Sequence, residues 1–288
     1  MQADVLSAIR GGLDGFSKGQ RRIAAFILDD YDKAAFMTAS KLGASTHVSE
    51  STVVRFAAEL GYDGYPEMQK ALQEVVRTRL TSVQRMEVVD TQLEDDRDVV
   101  SMVLQSDMNA LRMTNDSLDR SVLYAAVEEI VKAKTVYIVG ARSSATIANF
   151  LNFYLRSILD NVRLIQSNSS SDMLEQAMHI KAGDVLIGVS LPRYSSRTVK
   201  VMHFAKDLGC KLIAVTDNHQ APLARISDHV LIAKSDMLSI VDSLVAPMSV
   251  ANALVVAISR KLGKELSRNM NDLERIWEEY GVYESIDI

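Results

Sequence analysis

Three short segments concentrate side chains suited to gripping an oxygen-rich anion: Gly140-Ala-Arg-Ser-Ser-Ala145, Ser167-Asn-Ser-Ser-Ser-Asp172 and Ser190-Leu-Pro-Arg-Tyr-Ser-Ser-Arg-Thr198. Arg142 and Arg193 each offer a planar, permanently charged fork that matches a phosphate or carboxylate, with Arg197 as a third. The hydroxyls of Ser143, Ser144, Ser171, Ser190 and Ser195, with the carboxylate of Asp172, suit a polyhydroxylated ligand. Serine and aspartate also cap helices everywhere, so each segment alone has a purely structural reading. Brought to one edge of one sheet, the three make a ligand pocket.

The elements around them predict that arrangement. Beyond residue 120 the apolar runs are short, β-branched and evenly spaced: Thr135–Gly140, Val162–Ile165, Asp184–Ser190, Lys211–Thr216 and His229–Ala233. Helical stretches such as Ala145–Leu159 and Thr198–Leu208 lie between them. Near-continuous apolar strands alternating with helices imply a five-stranded parallel sheet flanked by helices on both faces. Ligands of such sheets bind beyond the carboxyl ends of the strands, where the three segments fall.

The first third reads differently. From Gln20 to Tyr31 the apolar residues Ile23, Phe26, Ile27 and Tyr31 recur at helical intervals, with Ser17 as N-cap. Residues 37–61 fit two short helices around a tight turn: Gly43 permits a close crossing, while Leu42, Val48, Val53 and Phe56 lock the pair. Ser49 is placed to cap the second helix and Gly61 to end it. His47 occupies the turn position where glycine commonly adopts a left-handed conformation, which histidine tolerates better than most. Ser49, Ser51, Thr52 and Arg55 then face outwards at the start of the second helix, where a recognition helix meets bases and phosphates of double-stranded DNA. The plain alternative is a three-helix bundle with a polar face.

Composition sets the frame. The chain has 288 residues, 48% hydrophobic and 24% charged, with a net charge of −5. That excludes a disordered protein and suggests two domains. Residues 1–80 hold ten Lys/Arg and ten Asp/Glu, so the acidic surplus belongs to the remainder. An acidic cluster, Asp90, Glu94, Asp95, Asp96 and Asp98, suggests a solvated junction near residues 80–105. The expected division is a helix-turn-helix domain over 1–80, a linker and connecting helix over 81–119, and the α/β domain over 120–288. One cysteine, Cys210, excludes an intramolecular disulfide and reads as a small core residue. The N-terminus lacks the apolar region of a secretory signal, and the uncharged stretch Ser243–Ser259 reads as a buried helix, so a cytoplasmic protein is expected.

Val48-Ser-Glu-Ser-Thr-Val-Val-Arg-Phe56, Glu59-Leu-Gly-Tyr-Asp-Gly-Tyr65 and Gln20-Arg-Arg-Ile-Ala-Ala-Phe-Ile-Leu28 resemble the N-terminal domain of the RpiR/MurR-type bacterial transcription regulators. The resemblance covers nearly the whole chain, because the later segments are similar to the phosphate-binding loops of sugar isomerase (SIS) domains. It implies an all-α helix-turn-helix domain followed by an α/β SIS domain that binds a phosphosugar. Ser144 and Ser190 match the loop serines, and Ser195 stands near the usual threonine. Two departures bear on the ligand. Arg142 stands where glycine is common, and Pro192-Arg193 replace a frequent Ser-Gly pair. Glycine lets phosphate approach bare backbone, whereas arginine adds charge. The expected effector is therefore a phosphosugar gripped in a different way, or another acidic sugar metabolite such as a phosphorylated sugar acid.

The resemblance also raises a sugar-phosphate isomerase, or another SIS enzyme, as the alternative function. Aldose–ketose isomerisation needs a Glu or His beside a carbonyl, and none of the three segments has one. Glu175 and His179 are the nearest, and read as a solvated helix face or a contact to a ligand hydroxyl. His203, His219 and His229 have no metal spacing with one another or with Cys210. No catalytic residue, metal or cofactor is expected. Apolar stripes at Val99, Val100, Val103, Leu104, Met108 and Leu111, and at Leu273, Ile276, Trp277 and Tyr280, fit core packing or an interface. A homodimer or homotetramer on paired DNA half-sites is expected.

Overall fold

The computed structural model describes residues 5–79, 81–90, 98–238 and 240–283. It divides into two compact units, one spanning Met1–Asp98 with Met237–Asp242, the other Val99–Asp236 with Ser243–Ile288. Glu94, Asp95 and Asp96 of the acidic cluster lie outside the described residues.

The first unit is built on helices α1 (Val5–Gly12), α2 (Lys18–Asp29), α3 (Tyr31–Ala34), α4 (Ala39–Ser45), α5 (Glu50–Glu59), α6 (Tyr65–Arg79) and α7 (Ser82–Asp90). Ser17 and Gln20 form the capping box of α2: each side chain bonds the other's backbone amide, an arrangement that contributes about 1 kcal/mol. The predicted periodicity buries Ile23 and Ile27, but the helix stops at Asp29, so Tyr31 opens α3 instead. Leu42, Val53, Phe56 and Leu72 complete a fully buried centre, with Phe16 edge-on to Phe56 at 5.1 Å. Helix α6 secures the chain just before α4. Tyr65 Oη and Gln69 Nε2 donate to the Met37 carbonyl at 2.7 and 2.8 Å, and Gln73 Nε2 to that of Ala35 at 3.1 Å. Ala35 is the C-cap of α3, whose carbonyl the helix end would otherwise leave unpaired, and Met37 lies in the turn between α3 and α4.

The second unit opens with α8 (Val99–Ser117) and α9 (Arg120–Lys132). There follow β1 (Val136–Gly140), α10 (Ser144–Ile158), β2 (Val162–Ile165), α11 (Ser170–Ala177), β3 (Val185–Val189), α12 (Ser196–Asp207), β4 (Lys211–Thr216) and β5 (His229–Ile232). Every strand expected from the apolar runs is present, all pairs are parallel, and the order is β2-β1-β3-β4-β5. The pleat sends Ile138, Ile187, Ile213 and Leu231 into a core shared with α9, α10 and the later α13 (Val245–Leu262). Tyr137, Leu186 and Leu212 pack with α11 and α12 in the other core. Helix α13 is long and apolar enough to cross a membrane by length and composition, yet Val250, Leu254 and Ile258 along it are buried in the protein core.

Between β5 and α13 the chain forms a hairpin, β6 (Met237–Leu238) with β7 (Val241–Asp242), counted within the first unit. There Arg85 of α7, 1% exposed, donates to Asp242 Oδ1 at 2.9 Å. Strands of two residues carry no periodic signal, so this hairpin could not be read from apolar spacing.

Of the stripe on α8, Val99, Val100, Leu104 and Met108 are each more than half accessible and Val103 and Leu111 are half-buried, while Ala110 and Thr114 are buried. On that buried side Thr114 Oγ1 accepts the Lys234 amide at 2.8 Å. On α14 (Lys264–Glu279) Ile276 is exposed, as is Tyr280 just beyond it, and Trp277 meets Tyr283 edge-on at 5.4 Å.

Candidate functional site

In a sheet ordered 2-1-3-4-5, the connections from β1 and β3 leave towards opposite faces, opening a crevice at the carboxyl edge between these two strands. Here α10 follows β1 onto one face and α12 follows β3 onto the other. Gly140 pairs with Val189 at that edge, so the loops carrying Arg142 and Arg193 begin side by side. Gly140 also sets the height of α10. A Cβ there would lie 2.7 Å from the Ser144 carbonyl oxygen and 2.9 Å from the Ala148 Cβ, so only glycine lets the first turn of α10 sit on the strand.

The sequence-derived residues separate into a floor and a rim. Ser144 and Ser190 are buried, at 5% and 2% exposure. The Ser190 amide donates to Val215, and its carbonyl accepts the Thr216 hydroxyl at 2.7 Å, which fixes the loop base to the end of β4. Arg142, Ser143 and Arg193 are exposed and Ser195 is half-buried. Both arginines have left-handed backbones, φ +58° and +62°. With His47 at +53°, they are the non-glycine residues with positive φ among those described; His47 holds a turn position where glycine is common, and the family resemblance puts glycine at the places of Arg142 and Arg193.

Other expectations are modified. Arg197 donates to the Ser167 carbonyl at 3.2 Å, joining the loop after β2 to the start of α12, so its guanidinium is partly committed to structure. Thr198 is fully buried. Ser171 shares a 2.7 Å hydrogen bond with Ser169, and Asp172 accepts from Gln176 at 3.2 Å; both are exposed on the first turns of α11. Glu175 is exposed on α11, but His179 lies in the turn beyond its end, so the two do not share a helical face. Among the described residues no group of three His, Cys, Asp or Glu is placed to hold a metal ion. Burial pushes the Cys210 thiol up to about 12, which agrees with a core residue.

Hydroxyl counting missed a network beside this edge. Tyr194 Oη donates to Asp217 Oδ1 at 2.8 Å and accepts from Asn218 Nδ2 at 3.0 Å. The only sequence signal was two polar residues directly after an apolar strand.

The helix-turn-helix has its own geometry. The Val48 amide donates to the Gly43 carbonyl at 2.9 Å, and a Cβ on Gly43 would come within 2.9 Å of the Val48 oxygen. Helices α4 and α5 therefore cross as the sequence required. Ser49 holds the N-cap position with an extended backbone, but its hydroxyl bonds those of Ser51 and Thr52, each at 2.9 Å, and caps no amide. Ser49, Ser51 and Arg55 are exposed, and Arg55 Nε reaches the Ser51 carbonyl at 3.3 Å. Thr52 is half-buried, its methyl 3.5 Å from where a Cβ on Gly19 of α2 would stand. The start of α2 thus flanks that of α5 and brings the exposed Lys18 and Arg22 beside it, two cations that the sequence-derived DNA contacts did not include. At the far end, Gly61 at φ +87° and the Tyr62 amide close α5 through the carbonyls of Ala58 and Ala57.

Comparison with known proteins agrees with both units. Residues 3–78 match the family model described as helix-turn-helix domain, rpiR family, and residues 129–257 match the SIS domain. The HTH-type transcriptional regulator HexR of Escherichia coli is 24% identical over 281 residues, 96% of this chain and 95% of the relative. The solved sugar isomerase domain of an RpiR transcription factor from Sphaerobacter thermophilus is 28% identical, with a TM-score of 0.59, covering 62% of this chain and 99% of that one. A structure of the Vibrio vulnificus NanR protein complexed with ManNAc-6P is 20% identical, with a TM-score of 0.60, covering 96% of this chain and 98% of that one.

Proposed function

The chain belongs to the RpiR-type transcription regulators, an rpiR-family helix-turn-helix domain followed by a SIS domain, and on that premise we propose that it reads operator DNA through α5 and senses an anionic sugar metabolite at the β1/β3 crevice. The reader is assigned to residues 1–80 and the sensor to 120–288; of the segment 81–119, α7 belongs to the first compact unit and α8 to the second. The observation that carries the sensor reading is the pair Arg142 and Arg193, both left-handed, on the two loops flanking the switch point above Ser144 and Ser190. Positive φ at a side-chain-bearing residue costs about 1–2 kcal/mol. A local cost of that kind accumulates at ligand sites more than elsewhere. The sugar phosphate named with NanR supports the ligand class. A phosphorylated sugar acid fits two arginines better than a singly charged ligand.

On the DNA side, Ser49, Ser51 and Arg55 supply donors at the exposed start of α5, with Lys18 and Arg22 adding charge from α2. A single neutral head binds weakly, so two heads act on paired half-sites in a cytoplasmic homodimer. Effector binding shifts the balance between two arrangements of the dimer and so changes DNA affinity.

The test uses the full-length protein: selection of bound sequences from random DNA, then salt-dependent affinity with and without Arg55→Ala, alongside a thermal-shift screen of phosphorylated and acidic sugars. The expected results are a defined sequence preference, loss of binding on Arg55→Ala, and stabilisation by phosphorylated sugar acids. Absence of any sequence preference overturns the regulator reading. Turnover of a phosphosugar that is abolished by Glu175→Gln establishes an isomerase instead.

A further inference from the structure

Arg193 sits in a turn whose two ends are both tied to the residues leaving β4. At one end, Ser190 bonds Val215 and Thr216 through its backbone. At the other, Tyr194 bonds Asp217 and Asn218 through its ring hydroxyl, while Asn218 Nδ2 also reaches Asp217 Oδ2 at 2.9 Å. Asp217 is 1% exposed, so this anchor is buried under the loop rather than draped across it. Between the two ties, Arg193 holds φ +62°, a state that a residue with a Cβ avoids when left to itself. A loop free to relax would return Arg193 to negative φ and redirect the chain at the mouth of the crevice. The Tyr194 hydroxyl, one residue beyond Arg193, is one of the tethers of this turn.

We propose that Tyr194 is a positioning residue of the sensor: through Asp217 and Asn218 it locks the β3–α12 turn so that Arg193 stands at the crevice, and it thereby sets the preference for ligands with a second anionic group. The inference rests on the ligand reading above. Tyr194 touches no ligand in this scheme. It acts through Arg193, and its removal weakens recognition of the second charge more than recognition of the phosphate.

The experiment compares full-length wild type with Tyr194→Phe, which keeps the ring and removes the hydrogen bonds. Amide hydrogen exchange is followed for residues 191–196 without ligand, with β3 as the internal standard. Affinities for glucose 6-phosphate and 6-phosphogluconate are measured by calorimetry. Expected are at least tenfold faster exchange over 191–196 relative to β3, and a roughly tenfold loss of affinity for 6-phosphogluconate against less than threefold for glucose 6-phosphate. Unchanged exchange, or an equal loss for both ligands, overturns the positioning role while leaving the sensor reading intact. If wild type binds neither sugar, the ligand reading falls and the role of Tyr194 in it falls as well.

Discussion

Arg142 and Arg193 adopt the same left-handed backbone state, φ +58° and +62°, on the two loops that leave neighbouring strands at the β1/β3 crevice. Glycine would hold either conformation without the steric cost of a Cβ. The energy spent on keeping arginine there therefore points to what its side chain does rather than to what the backbone needs.

Replacing either residue by glycine separates the two contributions. Arg142→Gly or Arg193→Gly relieves the strain and keeps or raises the stability of the ligand-free protein, by up to about 1 kcal/mol after the extra unfolded-state freedom of glycine is subtracted. Each also weakens the response to a phosphorylated sugar acid. Thermal-shift curves with and without ligand read both effects at once. A ligand-free midpoint several degrees lower, or an undiminished ligand response, contradicts the assignment.

The left-handed turn at His47 was legible because histidine tolerates the conformation that glycine commonly takes there. At Arg142 and Arg193 the family resemblance marked a replaced glycine, read as a gain of charge, and the positive φ of both came only with the structure. The central strands β1, β3 and β4 were legible because strands buried on both faces read as continuous apolar runs, while the partly buried edge strands β2 and β5 showed as short β-branched runs at the same spacing. The Tyr194–Asp217 bond was not, since it joins residues from different loops whose types suit any surface. The exposure of α8 was also hidden: apolar spacing fixes a face but not whether the face is covered, and here Ala110 and Thr114 took the buried side.

Gly43 gives a test of the helix-turn-helix alone. An added methyl would lie 2.9 Å from the Val48 carbonyl oxygen, and that atom belongs to the backbone and has little room to yield. Gly43→Ala is therefore expected to destabilise the protein by about 1–3 kcal/mol and to weaken DNA binding. Chemical denaturation measures the first effect. Wild-type stability in the variant means that α4 and α5 do not cross this closely.

Arg85 and Asp242 bear on the hairpin that sequence reading missed. Their pair is nearly removed from solvent, with side chains 1% and 12% exposed. Asp242→Ala takes the carboxylate from a buried guanidinium, which is expected to cost roughly 3 kcal/mol, whereas a surface pair would cost well under 1 kcal/mol. A denaturant midpoint within error of wild type would place Arg85 in water.

The exposed stripe of α8 predicts assembly. Val100, Leu104 and Met108 recur every fourth residue and are each more than half accessible. A stripe of this kind is covered in a dimer or left as a liability. The double substitution Leu104→Lys with Met108→Lys is expected to lower the sedimentation mass to that of one chain and to leave the sheet intact by circular dichroism. An unchanged mass moves the interface elsewhere, with the exposed aromatic pair Phe153 and Tyr154 on α10 next to be tested.

Alkaline pH offers the last prediction, because burial pushes two groups in the same direction. The Cys210 thiol rises from 9.0 to about 12 and the Tyr65 hydroxyl from 10.0 to about 12. Each holds its proton more tightly in the folded chain than in the unfolded one, so folding is helped equally at every pH below the ordinary values. Above pH 9 the unfolded chain begins to release the Cys210 proton while the folded chain keeps it, and above pH 10 Tyr65 follows. Stability therefore stays level to about pH 9 and then falls towards pH 12, by at most about 1.4 kcal/mol per pH unit for each group. Cys210→Ala removes the earlier part of that fall. Its urea midpoint, somewhat below wild type at pH 8, should draw level as the pH approaches 11. Parallel curves for the two proteins across this range would mean that the thiol is not buried in the folded state.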